Sequence, residues 1–258
     1  MTFIHQTAIV SDGSEIGEDC NIGPFVTIGP NARLADRVRI ESHAVIDGDT
    51  EIGADTHVFP FVSIGMAPQD TKYAGEPTRT VIGANNQIRE FVTIHRGTEG
   101  GGGVTRIGND NLLMAQAHVA HDCQVGSGVI MANAATLAGH VEVADRANIG
   151  AYSGVHQFCR VGLEAFVGGY SVVVKDAPPF AIIQGNHAKC YGLNRVGMKR
   201  RGYPPDTIDK LRRAYHLLLS AKLNTSQAVE RIREEITGCK EVDLLVDFIT
   251  SSKRGVVL

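Results

Sequence analysis

The chain has no tryptophan, and aromatic residues make up only 6% of its 258 positions although 43% are hydrophobic. A thick core built on large rings is excluded, and the apolar content must reside in small and β-branched side chains. Five cysteines form no C-x-x-C pair, which removes the usual zinc and dithiol motifs and leaves them as buried thiols in a reducing compartment. No run approaches 18 apolar residues, and the N-terminus lacks the charged-then-apolar pattern of a signal peptide. The expectation is a cytoplasmic protein with no stable membrane insertion. Net charge is only −3, so there is no general electrostatic reason to expect nucleic acid or an anionic membrane as partner.

Charge is also missing from one regular set of positions. In steps of six from Ile4 through Ile64, again over Ile82, Ile88 and Ile94, and from Ile107 to Val173, all 26 residues are apolar and none is aromatic. A period of six fits neither an amphipathic helix nor one long strand, but it is the signature of a parallel β-helix of hexapeptide repeats. Three short strands make a triangular coil, so 18 residues return the chain to the same place one rung further on. At about 4.8 Å per rung, eight or nine coils make a rod of roughly 40 Å. Four positions after each apolar residue the chain places small residues such as Cys20, Ala32, Ala117, Cys123, Ala135 and Cys159, which suit a narrow interior. Glycine often follows the apolar residue (Gly17, Gly53, Gly108, Gly150), as a corner with unusual φ would favour.

The repeat is interrupted twice. Residues 66–80 (MAPQDTKYAGEPTRT) and 95–106 (HRGTEGGGGVTR) are expected to leave the coil as loops. The first offers Gln69, Asp70 and Lys72 to a polar ligand. The four consecutive glycines of the second are read as a floppy segment, since no G-K-[ST] and no helix follow. After Pro178 and Pro179 the period ends. The expected organisation is a β-helix over 1–178, a linker over 179–203 and a helical domain over 204–258. Within the last, Ile208, Leu211, Tyr215 and Leu218 share one helical face, and Asn224 to Ser226 supply caps for a second helix.

Four of the ten histidines lie between Ile107 and Val173. The 18-residue rule stacks His121, Gly139 and Gln157 in one column, with His140 and His156 beside it, and Asp122 follows His121. A histidine, a carboxylate and an approachable glycine N–H form a plausible acid–base site. His118, taken alone, reads as a satisfied imidazole.

The stretches QDTKYAGEPTR, TIHRG, DNLLMAQAHVAHDC, NAATLAGHV, HQFC, QGNHA and GMKRRG resemble those of the UDP-N-acetylglucosamine acyltransferase family over effectively the full length. The resemblance implies a left-handed β-helix followed by a small α-helical domain, assembled as a homotrimer with clefts between subunits. It implies transfer of an (R)-3-hydroxyacyl group from acyl carrier protein to the 3-hydroxyl of UDP-N-acetylglucosamine, the first step of lipid A synthesis, with no cofactor and no metal. His121 then matches the general base, Asp122 its orienting carboxylate, and the Gly139 N–H an oxyanion donor. Gln69, Asp70, Lys72, His118, His140, His156, Gln157, Asn194, Arg200 and Arg201 match substrate contacts, and Gly169 the position that measures the acyl chain. Lys199, Arg200 and Arg201 form a basic cluster suited to an acidic carrier protein or a diphosphate. Two alternatives stand beside this: the related N-acyltransferase acting on a UDP-glucosamine amine, and a hexapeptide carbonic anhydrase holding zinc on three histidines.

Overall fold

The structure, a computed structural model, describes all 258 residues. Most strands are two residues long and are arranged in three sheets of 11, nine and eight strands, parallel except for the last strand of the 11-stranded sheet. Here these are sheets A, B and C, beginning at Phe3–Ile4, Ile9–Val10 and Glu15–Ile16. The chain visits A, B and C in turn, so equivalent residues pair 18 apart, as with Phe3 and Asn21 or His118 and Thr136. The result is a left-handed parallel β-helix. From Ile22 onward every six-step residue is buried, forming three interior columns, one on each sheet. Ile4, 44% exposed, together with Val10 and Ile16, lies at the start of the rod, where no preceding coil covers it. The Cys123 thiol is fully buried, which pushes its pKa up to about 12. It is a small apolar filler of the interior.

The corners turn differently from the expectation. The left-handed residue is the third after each apolar one, and it is rarely glycine: Phe61, Phe91, Asp122, His140, Tyr152 and Phe158 all have φ between 57° and 62°. That conformation is unfavourable for a side chain, and stacking between coils offsets it, with His140 and Phe158 rings 4.4 Å apart and Phe61 and Phe91 5.1 Å apart. The glycine that follows the apolar residue serves close approach. A Cβ at Gly53 would lie 2.5 Å from the Gly83 backbone, and one at Gly150 2.5 Å from Gly169 N.

Both excursions leave the corner between sheets B and C. Strand pairing resumes at Arg79 after the first and at Val104 after the second, so each loop is shorter than its irregular sequence suggested. Residues 179–203 are not an open linker. Ala181–Gln184 adds in parallel to Phe166–Val167, turns back as Lys189–Leu193, and leads into helix α1, Arg195–Arg200. Ala181, Ile183 and Leu193 are buried, so this apolar alternation continues the coil past the two prolines. Helices α2 (Pro205–Leu219), α3 (Thr225–Glu235) and α4 (Lys240–Thr250) follow. Asn224 caps α3, with Gln227 reaching back to complete a capping box. Tyr215 of α2 is buried and donates its hydroxyl to Pro179 O, fastening the helices to the rod. No helix is long and apolar enough to cross a membrane.

Candidate active site

His121, His140, His156 and Gln157 lie along the edge between sheets B and C on three successive coils, and His118 lies in the sheet B strand that leads to His121. At its centre His121 Nδ1 is 2.8 Å from Asp122 Oδ2. The carboxylate can only accept, so Nδ1 carries the proton and Nε2 keeps its lone pair. Asp122 is itself held: Thr98 donates its N–H to Oδ1 at 2.9 Å and its hydroxyl to Oδ2 at 2.6 Å, and Thr105 Oγ1 accepts the Asp122 N–H. The side chain of Asp122 has no solvent exposure, whereas that of His121 keeps 14%.

The glycine-rich loop explains this burial and overturns its reading as a floppy segment. A Cβ at Gly101 would lie 2.0 Å from Asp122 Cγ, and one at Gly97 2.8 Å from Oδ1. The loop wraps the carboxylate so closely that only glycine fits. Arg96 ties it to the first loop, donating to Gly65 O at 2.8 Å and to the Tyr73 hydroxyl at 3.1 Å.

Gly139 sits one coil beyond His121, and its N–H finds no acceptor within the chain. The ring of His140, stacked on Phe158, presents Nε2 3.8 Å from Asp122 Oδ2. Burial lowers its pKa, with Asp122 opposing the shift. His118 shares a hydrogen bond with Thr93 Oγ1 at 2.7 Å, and burial, then the neighbouring His121, lowers its pKa.

Sequence reasoning missed His95. It is 6% exposed, and burial together with His118, His121 and Arg96 lowers its pKa to about 4. Its ring packs edge-on to His118 at 5.1 Å, and its Nδ1 is buried without a partner. His95 follows Ile94 as His156 follows Val155, but the inserted loop breaks the 18-residue count between them. Pairing jumps from Thr93 to His118, so addition along the sequence does not find it.

The remaining candidates are dispersed. Gln69 and Lys72 are exposed and Asp70 half-buried on the first loop, at the same edge as His121. Gly169 is exposed at the corner between sheets A and B. Asn194 is 9% exposed, and its side chain caps α1 by accepting the Gly197 N–H at 3.0 Å. Arg201 pairs with the buried Glu164 at 3.3 Å and donates to Arg146 O, at the corner between sheets C and A. Arg200 and Lys199 are exposed. One chain therefore does not bring Gly169, Asn194, Arg200 or Arg201 to the His121 edge.

His121, Asp122 and His140 are also the one group whose ligand atoms lie within 4.8 Å of one another, close enough to share a metal ion. Both Asp122 oxygens already accept hydrogen bonds from Thr98, and His121 faces the carboxylate with its protonated nitrogen. An ion there would have to displace the pairing that orients His121.

A protein from Thermodesulfovibrio yellowstonii described as an acyl-[acyl-carrier-protein]--UDP-N-acetylglucosamine O-acyltransferase is 48% identical over 256 residues, 99% of either chain. A protein of the same description from Thiobacillus denitrificans is 46% identical over all of both chains. The chain belongs to this family. The family model for domain 2 of UDP-N-acetylglucosamine O-acyltransferase matches residues 176–257 of this family member, and the bacterial transferase hexapeptide model matches 13–48 and 105–139. The crystal structure of a UDP-N-acetylglucosamine acyltransferase from Bacteroides fragilis superposes with a TM-score of 0.97 at 39% identity, covering 99% of this acyltransferase-family chain and all of that one.

Proposed function

We propose that this enzyme moves an (R)-3-hydroxyacyl group from acyl carrier protein to the 3-hydroxyl of UDP-N-acetylglucosamine, in the cytoplasm, as the first step of lipid A synthesis. The observation that carries the chemistry is the Asp122-held His121, whose free Nε2 lies over Gly139. A sugar hydroxyl is a poor nucleophile until its proton is removed. In this reading His121 Nε2 takes that proton as the oxygen attacks the thioester carbonyl. The Asp122 carboxylate stabilises the imidazolium that forms, and the unpaired Gly139 N–H donates to the developing oxyanion. Collapse of the tetrahedral intermediate breaks the C–S bond, and the carrier thiolate takes the proton back from His121. Gln69, Asp70, Lys72, His118, His140, His156 and Gln157 bind the two substrates along the same edge.

Asn194, Arg200, Arg201 and Gly169 enter this reading only through a second copy of the chain, and we propose a homotrimer. Apart from His118, the outward residues of sheet B are uncharged (Thr27, Val45, Ser63, Thr93, Thr136, Val172), unlike the Arg33, Glu51, Arg106 and Glu142 of sheet C. Beside sheet B, Phe25, Phe61 and Phe91 are 57%, 49% and 54% exposed in a ladder with His43. A flat uncharged face with an exposed aromatic border is a surface to be covered. Three copies packed through sheet B would set the Gly169 edge of one against the His121 edge of the next.

The decisive experiment supplies UDP-N-acetylglucosamine and hydroxyacyl carrier proteins to the purified protein, with the amino-sugar nucleotide as a competing acceptor. The expected product is the O-acyl sugar nucleotide, lost in His121→Ala by 10²–10⁴-fold, as removal of a general base typically costs. Exclusive acylation of the amine, or a His121→Ala enzyme with more than half of the native kcat, would refute the reading.

A further inference from the structure

We propose that Arg254, from the C-terminal tail, is a positioning residue that holds His156 as its Nε2–H tautomer. The inference rests on the reading above, in which His156 contacts substrate.

The tail is anchored at one residue. Asp176, 1% exposed, donates its N–H to Gly255 O at 2.9 Å, while its carbonyl accepts the Val257 N–H at 2.8 Å. Its carboxylate accepts from Ser252 Oγ at 2.8 Å, and from the Arg160 Nε and N–H at 2.9 and 2.8 Å. Arg160 also donates to Phe248 O and stacks 4.3 Å over the Phe248 ring. Residues 251–257 are thereby clamped back onto the last coils of sheet C, beyond α4. Between the two clamped ends, Arg254 extends toward the histidine edge and brings Nη2 to 3.3 Å from His156 Nδ1. Its Nε is buried with no partner, and its guanidinium also lies beside the Cys159 thiol, where it opposes the rise in pKa that burial causes.

The contact decides where the imidazole proton sits. His156 Nδ1 also lies 3.2 Å from Gln157 O, and a single nitrogen cannot donate to that carbonyl while accepting from the guanidinium. A guanidinium has only donors, and its charge is permanent. A proton on Nδ1 would point at a cation, so Nδ1 keeps the lone pair and Nε2 carries the hydrogen. The approach to Gln157 O is then a contact between two acceptors. His156 is exposed, so the ring presents one fixed donor, Nε2–H, to an oxygen in the cleft. Without Arg254 the same ring could present an acceptor, because Gln157 O would favour the opposite tautomer.

The test uses the full-length protein labelled with 15N in its histidines, with His156→Gln identifying the resonances. At a pH about two units above the ordinary imidazole value of about 6.5, native His156 should show a pyridine-like Nδ1 and a protonated Nε2. In Arg254→Met, which keeps length but has no donor, the two nitrogens should move toward each other or exchange roles. Arg254→Lys, which keeps a charged donor, should return toward the native pattern. Arg254→Met should also lower kcat/KM roughly 2- to 10-fold, the range of one ordinary hydrogen bond, with the thermal melt unchanged. A protonated Nδ1 in the native protein, or a spectrum indifferent to Arg254→Met, overturns the proposal. A shifted spectrum with full activity in His156→Gln upholds the Arg254–His156 pairing and removes His156 from the substrate contacts.

Discussion

Gly139 lies directly beneath the imidazole of His121: a Cβ on Gly139 would stand 2.6 Å from Cε1 and 2.7 Å from Nε2. The residue one coil along is thus glycine because the proposed base occupies the space of its side chain. Gly139→Ala should leave the β-helix intact, since the conflict is with one exposed-edge ring. It should displace that ring by about an ångström, a misplacement that can cost about 10²-fold in turnover. Steady-state kinetics beside a thermal melt checks this, and native turnover would show that His121 can move freely.

The second glycine test addresses the loop over Asp122. Gly101→Ala places a methyl 2.0 Å from Asp122 Cγ, so the loop must lift. The expected result is a folded protein with at least a tenfold loss of kcat and with faster amide exchange at Thr98, whose N–H is bonded to Asp122. Unchanged exchange at Thr98 would mean that the loop does not depend on this fit.

The buried imidazole of His95 ties stability to pH. With its folded pKa near 4 against about 6.5 unfolded, the unfolded chain takes up the proton first. Stability is therefore complete above pH 6.5 and declines as pH falls toward 4, by up to about 3 kcal/mol. His95→Leu should remove that part of the acid sensitivity. Denaturant melts of both proteins across pH 4–7 check it, and parallel profiles would refute it.

Arg200 and Arg201 should separate. Arg201 helps to satisfy Glu164, whose side chain is 2% exposed and which also holds Arg146 and the Tyr203 hydroxyl. Arg201→Ala should cost about 1–3 kcal/mol of stability, the usual penalty for leaving a buried acceptor short of a donor. Arg200 is exposed at the end of α1, so Arg200→Ala should spare the melt and raise a substrate KM, more so at low salt. Equal melting shifts for the two would refute the separation.

Gly169 bears on acyl length. It is exposed, and an added Cβ would meet only Ala151 O at 3.2 Å, with Ala151 N at the edge of contact, so a larger side chain can stand there once that carbonyl gives by a few tenths of an ångström. The expected donor is long, on the scale of a hydroxymyristoyl chain. Each methylene buried contributes about 0.8 kcal/mol, so four lost methylenes would change selectivity by over roughly 100-fold. Gly169→Met should reverse the preference toward ten-carbon donors. A native enzyme that already prefers the ten-carbon donor would eliminate Gly169 as the gauge.

The period of six, readable without coordinates, dictates the coil, because an interior this narrow admits only one large and one small side chain per strand. It also stacks His121 on Gly139, since equal spacing along the chain becomes adjacency across coils wherever no loop intervenes. Beyond the loops that arithmetic fails, and His95 escapes it. Only the folded chain shows that Gly97 and Gly101 close over Asp122. Their identity answers a contact 21–25 residues away in sequence, which no local pattern encodes. The same holds for Arg201, whose charge reads as surface attraction until Glu164, buried 37 residues earlier, is found to need it. Tertiary structure likewise sets Gly169, Arg201 and His121 on three different edges of one prism. Residues on different edges of a rigid rod cannot converge within a single chain, which is why the proposed site is completed only in the proposed homotrimer.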